Sequence, residues 1–255
     1  MKIVLTMGDP NGIGIEVLVK SLRALFNSGD NYKDIQYEIT GNPETIEEYI
    51  IKMSLRAEID DGCLIIDEKK CRIIQTGEYA PVRFGCLSKA GGKLSADSIE
   101  KAVELTINKK YDAIVTMPVS KEALYRAGWK YPGHTEMLAD RCGIERPIMI
   151  LLTGELRVAL LTIHEPLSRV PQLISKDLII KMARMYEKSL KRDFAVESPK
   201  IALLGLNPHA GENGSIGTEE KEIMKPAINL CNVESINISG PFPSDGFFAH
   251  GDYQF

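Results

Sequence analysis

Residues 201–220, IALLGLNPHAGENGSIGTEE, decide how the chain is read. The stretch opens as a short apolar run of strand length, Ile201 to Leu204. It breaks into a loop that holds Asn207, Pro208, His209 and the glycines Gly205, Gly211, Gly214 and Gly217. Thr218 then stands where a helix N-cap belongs, with Glu219 and Glu220 in the following turn. A buried strand thus delivers a histidine into a Gly-rich loop at its C-terminal end. In open α/β sheets that is where ligands bind.

Working outward, the same alternation recurs. Residues 2–7 read as a strand, GDPNGIG (8–14) as a turn, and the following residues to about 26 as a helix. Ile15, Leu18, Leu22 and Leu25 recur at helical spacing on its buried face. Residues 35–40 form the next strand, and Pro43 opens a second helix from a first-turn position that suits proline. Strands are expected at 63–67 and 72–76, followed by a loop holding Pro81, Gly85, Gly91 and Gly92. A helix is expected over about 96–108, a strand over 112–117 and a helix over 120–127. After YPGHT (131–135), a short helix spans 136–142. Two strands at 148–153 and 157–163 flank Gly154-Glu155, which reads as a hairpin turn. A long amphipathic helix covers about 175–191, and a last strand falls near 235–239. Strands alternating with helices of these lengths imply an α/β fold with parallel pairings and one antiparallel element. The break near residue 131 suggests two domains, 1–130 and 131–255.

Composition narrows the function classes. The 255 residues are 44% hydrophobic and 26% charged, which is ordinary for a globular chain. A net charge of -4 and a pI near 5.7 give no reason to expect a nucleic-acid partner. The five cysteines are scattered without a Cys-x-x-Cys pair, which suits a reducing, cytoplasmic setting rather than a disulfide framework. The sequence shows neither a signal peptide nor an apolar run of membrane-spanning length.

The chemistry has few carriers. The histidines are His134, His164, His209 and His250. The first three each follow a strand or open a helix beside small or turn residues. Imidazole is a common ligand for zinc and similar metals, though any single loop histidine is more often a surface residue or a cap. No two lie four residues apart, so spacing supplies no local metal motif. GDPNGIG resembles a phosphate-binding turn, yet it is neither G-x-G-x-x-G nor a P-loop, and a plain tight turn reads equally well. Lys121 opens a helix beyond a strand and could face an anion. Asp245, in PSDGFF, could serve as ligand, proton acceptor or turn residue.

Read together and in order, GDPNGIGIE, TMPVSKEAL, YPGHTEMLA, LTIHEPL, LGLNPHAGENGSIGTEE and GPFPSDGFF resemble the 4-hydroxythreonine-4-phosphate dehydrogenase family of vitamin B6 biosynthesis. The resemblance runs from about Lys2 to the end of the chain. It implies a fold similar to isocitrate and isopropylmalate dehydrogenases, with two α/β domains, a cleft and a homodimer. The first domain would lie on the cofactor side, and the second would carry metal, substrate and dimer contacts. His134 and Thr135 match the family's contacts to the phosphorylated substrate, and His164 and His209 match its metal ligands. A partner histidine would complete the metal site. The family's own third metal histidine lies in a later segment with no counterpart before Phe255. His250 is not in that motif.

The implied reaction is NAD- or NADP-dependent oxidation of 4-phosphooxy-L-threonine, with decarboxylation to 3-amino-2-oxopropyl phosphate. A divalent metal (zinc, cobalt, nickel, manganese or magnesium) would assist, and Lys121 and Asp245 are the candidates for moving the hydroxyl proton. Alternatives are a relative acting on D-threonate or D-erythronate 4-phosphate, a metal-dependent hydrolase, or a binding protein without turnover.

Overall fold

The computed structural model describes residues 1–29, 34–145 and 147–249. The chain forms two compact units, Met1–Pro147 and Ile148–Phe255.

The first unit is built on a six-stranded sheet. Its elements are β1 (Lys2–Thr6), α1 (Gly14–Asn27), β2 (Gln36–Gly41), α2 (Pro43–Lys52), β3 (Glu58–Asp60), β4 (Cys63–Ile66) and β5 (Lys69–Gln75). They continue with α3 (Lys89–Ile107), β6 (Ala113–Val115), α4 (Lys121–Arg126) and α5 (His134–Arg141). The strand order is β3-β4-β5-β2-β1-β6. Strands β5, β2, β1 and β6 run parallel, with Leu5 in register with Ile39 and Val115. The β3–β4 and β4–β5 pairs are antiparallel. The parallel expectation therefore holds from β5 through β2 and β1 to the β6 edge, and the opposite edge turns back as a short meander.

Local signals explain these elements. Helix α1 buries Ile15, Leu18, Val19 and Leu22 against the sheet. Burying each such side chain contributes roughly 1.5–3 kcal/mol. Asn42 caps α2 by accepting from Thr45 N at 2.9 Å, with Pro43 at the first helical position. Ser88 caps α3 in the same way through Gly91 N. The ends of the strands are tied by buried hydroxyls. Ser98 Oγ donates to Thr40 O at 2.7 Å and accepts from Met7 N, and Thr6 Oγ1 accepts from Met117 N. Helix α3 begins at Lys89, earlier than the expected start near residue 96. Its two early glycines read as loop, but they sit inside the helix. A Cβ on Gly92 would lie 2.0 Å from Ala123 O, so α3 and α4 approach backbone to backbone.

The second unit opens with the antiparallel hairpin β7 (Met149–Thr153) and β8 (Leu156–Leu160), turned at Gly154 with φ 54°. A 3-10 turn and the short α6 (Val170–Leu173) follow, then α7 (Lys176–Asp193), capped by Ser175. Strand β9 (Ile201–Leu204) pairs in parallel with β10 (Ile238–Phe242). Between them a π turn (Glu220–Met224) leads into α8 (Lys225–Val233), and α9 (Ser244–Ala249) comes last. β10 lies three residues later than the expected strand. Ile179, Leu190, Ile201, Leu203, Met224 and Ile238 belong to the core of this unit. A largely apolar cavity of about 430 Å³ opens between β8, α7 and β9. Among the described residues no helix is long and apolar enough to cross a membrane. All five cysteines are free.

Candidate active site

The candidate residues divide between the units. Lys121, His134 and Thr135 lie in the first, and His164, His209 and Asp245 in the second.

In the first unit the site begins at the C-terminal ends of β1 and β6. The turn after β1 is fastened to the loop after β6, where Asp9 N donates to Pro118 O at 2.9 Å. Gly8 has φ +74°, and a Cβ there would lie 2.7 Å from the same carbonyl. The glycine is therefore required by conformation and by space. Tyr49 Oη donates to Gly12 O at 2.7 Å and closes the turn from the α2 side. Asp9 is buried, and burial raises its carboxyl pKa, partly countered by the hydrogen bond from Asn11 N.

Ser120 caps α4, so Lys121 is the first residue of that helix. Helix α5 starts at His134, and its N-cap is the extended Gly133, which offers no side chain to the first amides. A Cβ on Gly133 would lie 3.8 Å from Lys121 Nζ, so the lysine reaches the start of α5. Packing holds both helices in place, because Leu124, Trp129 and Met137 share one buried cluster with Ile99 and Val103 of α3. Trp129 and Tyr131 meet edge to face at 5.6 Å, and Tyr131 Oη donates to Asp140.

His134 is half-buried, and its Nε2 is fully buried without a hydrogen-bond partner. Burial first, and then the charge of Lys121, lower its pKa from the ordinary 6.5. An orphaned imidazole nitrogen, a cation and an uncapped helix start favour an anion such as phosphate, and the Glu136 carboxylate in the same first turn, 3.2 Å from the Gly133 Cβ position, opposes it and competes for Lys121. The depressed pKa has a sign that can be tested. The unfolded chain takes up the proton first, so stability is complete above the unfolded value and falls as pH drops through it towards the folded value. Denaturant titrations from about pH 8 to about pH 5 should therefore show a loss in the wild type that is smaller in His134→Gln, across the range where histidine titrates. Equal losses would remove this account of His134.

In the second unit, β9 runs into a turn of unusual backbone. His209, Ala210, Gly211, Glu212 and Asn213 have φ of 52, 50, 78, 40 and 56° in succession, all left-handed. For residues with a Cβ this costs roughly 1–2 kcal/mol each, so the turn must be held by its surroundings. Glu220 is part of that hold. It is 3% exposed, its Oε1 accepts from Asn207 N at 2.7 Å, and its Oε2 accepts from Asn207 Nδ2 at 2.9 Å. Burial pushes the Glu220 carboxyl up, but the Asn207 donors and nearby backbone amides outweigh it. The net pKa lies below the usual carboxylate value, so the group is charged. Glu219 accepts from the same Asn207 Nδ2 at 2.8 Å.

His209 is exposed on this turn, and His164 is exposed beyond β8 with φ 57°. Among the described residues neither imidazole has a hydrogen-bond partner, and no three His, Cys, Asp or Glu side chains gather to hold a metal. Each accessible imidazole is a donor of the type that divalent transition metals take. Asp245 is exposed in the first turn of α9, which lies against the 208–214 turn. His250 lies outside the described residues.

The sequence reading missed the part played by Glu220, which it placed in an ordinary first helical turn. The signal was present. Glu220 falls on the same helical stripe as the buried Met224, Ala227, Ile228 and Cys231, where a carboxylate must find partners.

Residues 30–254 match the family model described as pyridoxal phosphate biosynthetic protein PdxA. The chain belongs to the PdxA family. The match spans five of the six sequence segments that carried the resemblance, all but GDPNGIGIE. A 4-hydroxythreonine-4-phosphate dehydrogenase of Sulfurihydrogenibium sp. (strain YO3AOP1) is 38% identical over 97% of this chain and 76% of the relative. Its counterpart from Prosthecochloris aestuarii is 39% identical over 98% of this chain and 75% of the relative. Among solved structures, a 4-hydroxythreonine-4-phosphate dehydrogenase from Burkholderia phymatum superimposes with a TM-score of 0.80. It is 33% identical and covers 100% of this chain and 78% of its own. The PdxA fold thus accounts for the mixed, parallel-rich α/β architecture.

Proposed function

We propose that this PdxA-family protein oxidises 4-phosphooxy-L-threonine with NAD or NADP. The secondary alcohol loses a hydride and a proton to give a 3-oxo acid. Loss of CO2 then gives 3-amino-2-oxopropyl phosphate for pyridoxal 5'-phosphate synthesis in the cytoplasm. The observation that carries the reading, beside family membership, is the orphaned Nε2 of His134 at the uncapped start of α5 next to Lys121.

The first unit would bind the phosphate. His134 and Thr135 would hold its oxygens, the free amides of α5 would add their partial positive charge, and Lys121 would balance the anion. In the second unit, His164 and His209 would hold a divalent metal (zinc, cobalt, nickel, manganese or magnesium). When bound, the nicotinamide accepts the hydride and the metal supplies Lewis acidity at the substrate hydroxyl. Asp245 is the chain's candidate to receive the hydroxyl proton; Lys121 is the alternative, and in that role it would act as the free amine instead of balancing the anion. Kinship with isocitrate and isopropylmalate dehydrogenases belongs to the same proposal, as does a homodimer whose partner supplies a third imidazole.

The test is NADH formation from 4-phosphooxy-L-threonine, NAD and added divalent metal, with a chelated control. Metal-dependent NADH would support the reading. NADH only from D-threonate or D-erythronate 4-phosphate would move the substrate within the family. Metal-dependent hydrolysis without nicotinamide turnover would overturn the oxidoreductase assignment for this chain.

A further inference from the structure

We propose that Glu220 is a positioning residue for His209. It would act through Asn207 to hold the left-handed turn in the one shape that presents the imidazole as a ligand. The proposal rests on the reading of His209 as a metal ligand and extends it to a residue outside the ligand set.

The argument starts from the glycines. Around Glu220 and Asn207, two glycines stand where a side chain would collide with the pair, and a third stands where it would collide with Ala210 of the turn. A Cβ on Gly211 would lie 2.6 Å from Glu220 Oε2, and one on Gly217 would lie 2.4 Å from Asn207 Nδ2. A Cβ on Gly205 would lie 2.9 Å from Ala210 Cα and 3.4 Å from Glu220 Oε1. The chain thus wraps closely around one buried carboxylate. That carboxylate takes both donors of Asn207, backbone and side chain, at 2.7 and 2.9 Å. Asn207 also anchors the turn directly, since its carbonyl accepts from Ala210 N at 3.1 Å. His209 lies between these two anchored points. The imidazole itself makes no hydrogen bond among the described residues, so the turn fixes the place of its Cβ while the ring turns among its rotamers. The left-handed backbone at residues 209–213 is intrinsically unfavourable, so it needs an external hold. A neutral amide in place of the carboxylate would put a donor where two N–H groups converge, leaving at least one of them unpaired.

The experiment uses the full chain and titrates Zn2+ alone by calorimetry, alongside hydrogen exchange of residues 207–213 in the metal-free protein. Glu220→Gln is expected to weaken Zn2+ binding roughly 10- to 100-fold, the usual effect of losing an outer partner of a ligand. It should also speed exchange of the Asn207 amide, while inorganic phosphate binding in the first unit stays unchanged. Glu220→Asp keeps the charge and should recover part of the affinity, which a simple packing role would not. Should Glu220→Gln fail to fold, Asn207→Ala, which leaves the carboxylate and one of its donors, reads the same affinity and should also lower it. Wild-type affinity and exchange in either folded variant would overturn the proposal. His164→Ala and His209→Ala serve as the separate control. If both bind Zn2+ like the wild type, the metal reading fails, and the exchange data still decide whether Glu220 holds the turn.

Discussion

Replacing His164 or His209 by alanine is expected to remove divalent-metal binding and to reduce turnover to background, with the fold intact. Each imidazole would be a direct ligand, so the loss should exceed the roughly 10- to 100-fold that follows removal of an outer partner. Neither side chain supports the structure. Both are exposed, and neither has a hydrogen-bond partner among the described residues. Both stand at positive φ, where alanine fits somewhat less well than histidine. A penalty of about 1 kcal/mol would lower the melting temperature by about 2–4 °C for a chain of this size. Calorimetric metal titration, NADH formation and a thermal melt on the same preparation separate the three quantities. A variant that kept both metal and turnover would sink the assignment of its histidine. A variant that lost the fold would show instead that the loop histidine is structural.

Gly92→Ala is expected to have the largest effect on stability. The added methyl would meet Ala123 O at 2.0 Å and Ala123 C at 2.4 Å, both backbone atoms. A side chain can rotate away, but a helix backbone cannot, so α3 and α4 must separate. Overpacking of this kind costs about 3 kcal/mol or more, which outweighs the gain in helix propensity from removing a glycine. The melting temperature should fall by about 6–12 °C. Activity should fall further than stability alone implies, because α4 begins at Lys121. Gly91→Ala is the control. Its added methyl would face the side chains of Asn11, Pro10 and Ser88 at 3.0, 3.2 and 3.6 Å, and these can adjust. Its melt should stay close to that of the wild type. Equal melts for Gly92→Ala and the wild type would show that the two helices have slack between them.

These two cases show where sequence reading succeeds and where it stops. Strands β1, β2 and β9 and helices α1, α2 and α7 were legible because their signals are local. Apolar runs, a 3.6-residue stripe, Asn42-Pro43 and Ser175 lie within a few residues of what they specify. The β7–β8 hairpin was legible from Gly154-Glu155 between two apolar runs. The start of α3 was not, because Gly91 and Gly92 look like breakers until the partner helix is seen. The backward edge of the sheet was also hidden. β3 is only Glu58-Ile59-Asp60, and nothing in three residues states which strand they will join. Within the site, histidines could be picked out by type and setting. For their supports the sequence marks Glu220 as a buried carboxylate but not its partner, since the link from Glu220 to Asn207 spans 13 residues and exists only once the turn has closed.

The left-handed turn at residues 209–213 also sets terms for how this chain can change. Four of its five residues carry a side chain in a conformation that glycine would adopt more easily. Selection for stability alone would drift such positions towards glycine, and the turn would loosen as its own rigidity became cheaper to lose. The loop is therefore a place where robustness and aim pull apart. On the proposal that His209 is a ligand, lineages that keep it must keep the uncomfortable backbone, and lineages that abandon it are free to relax it.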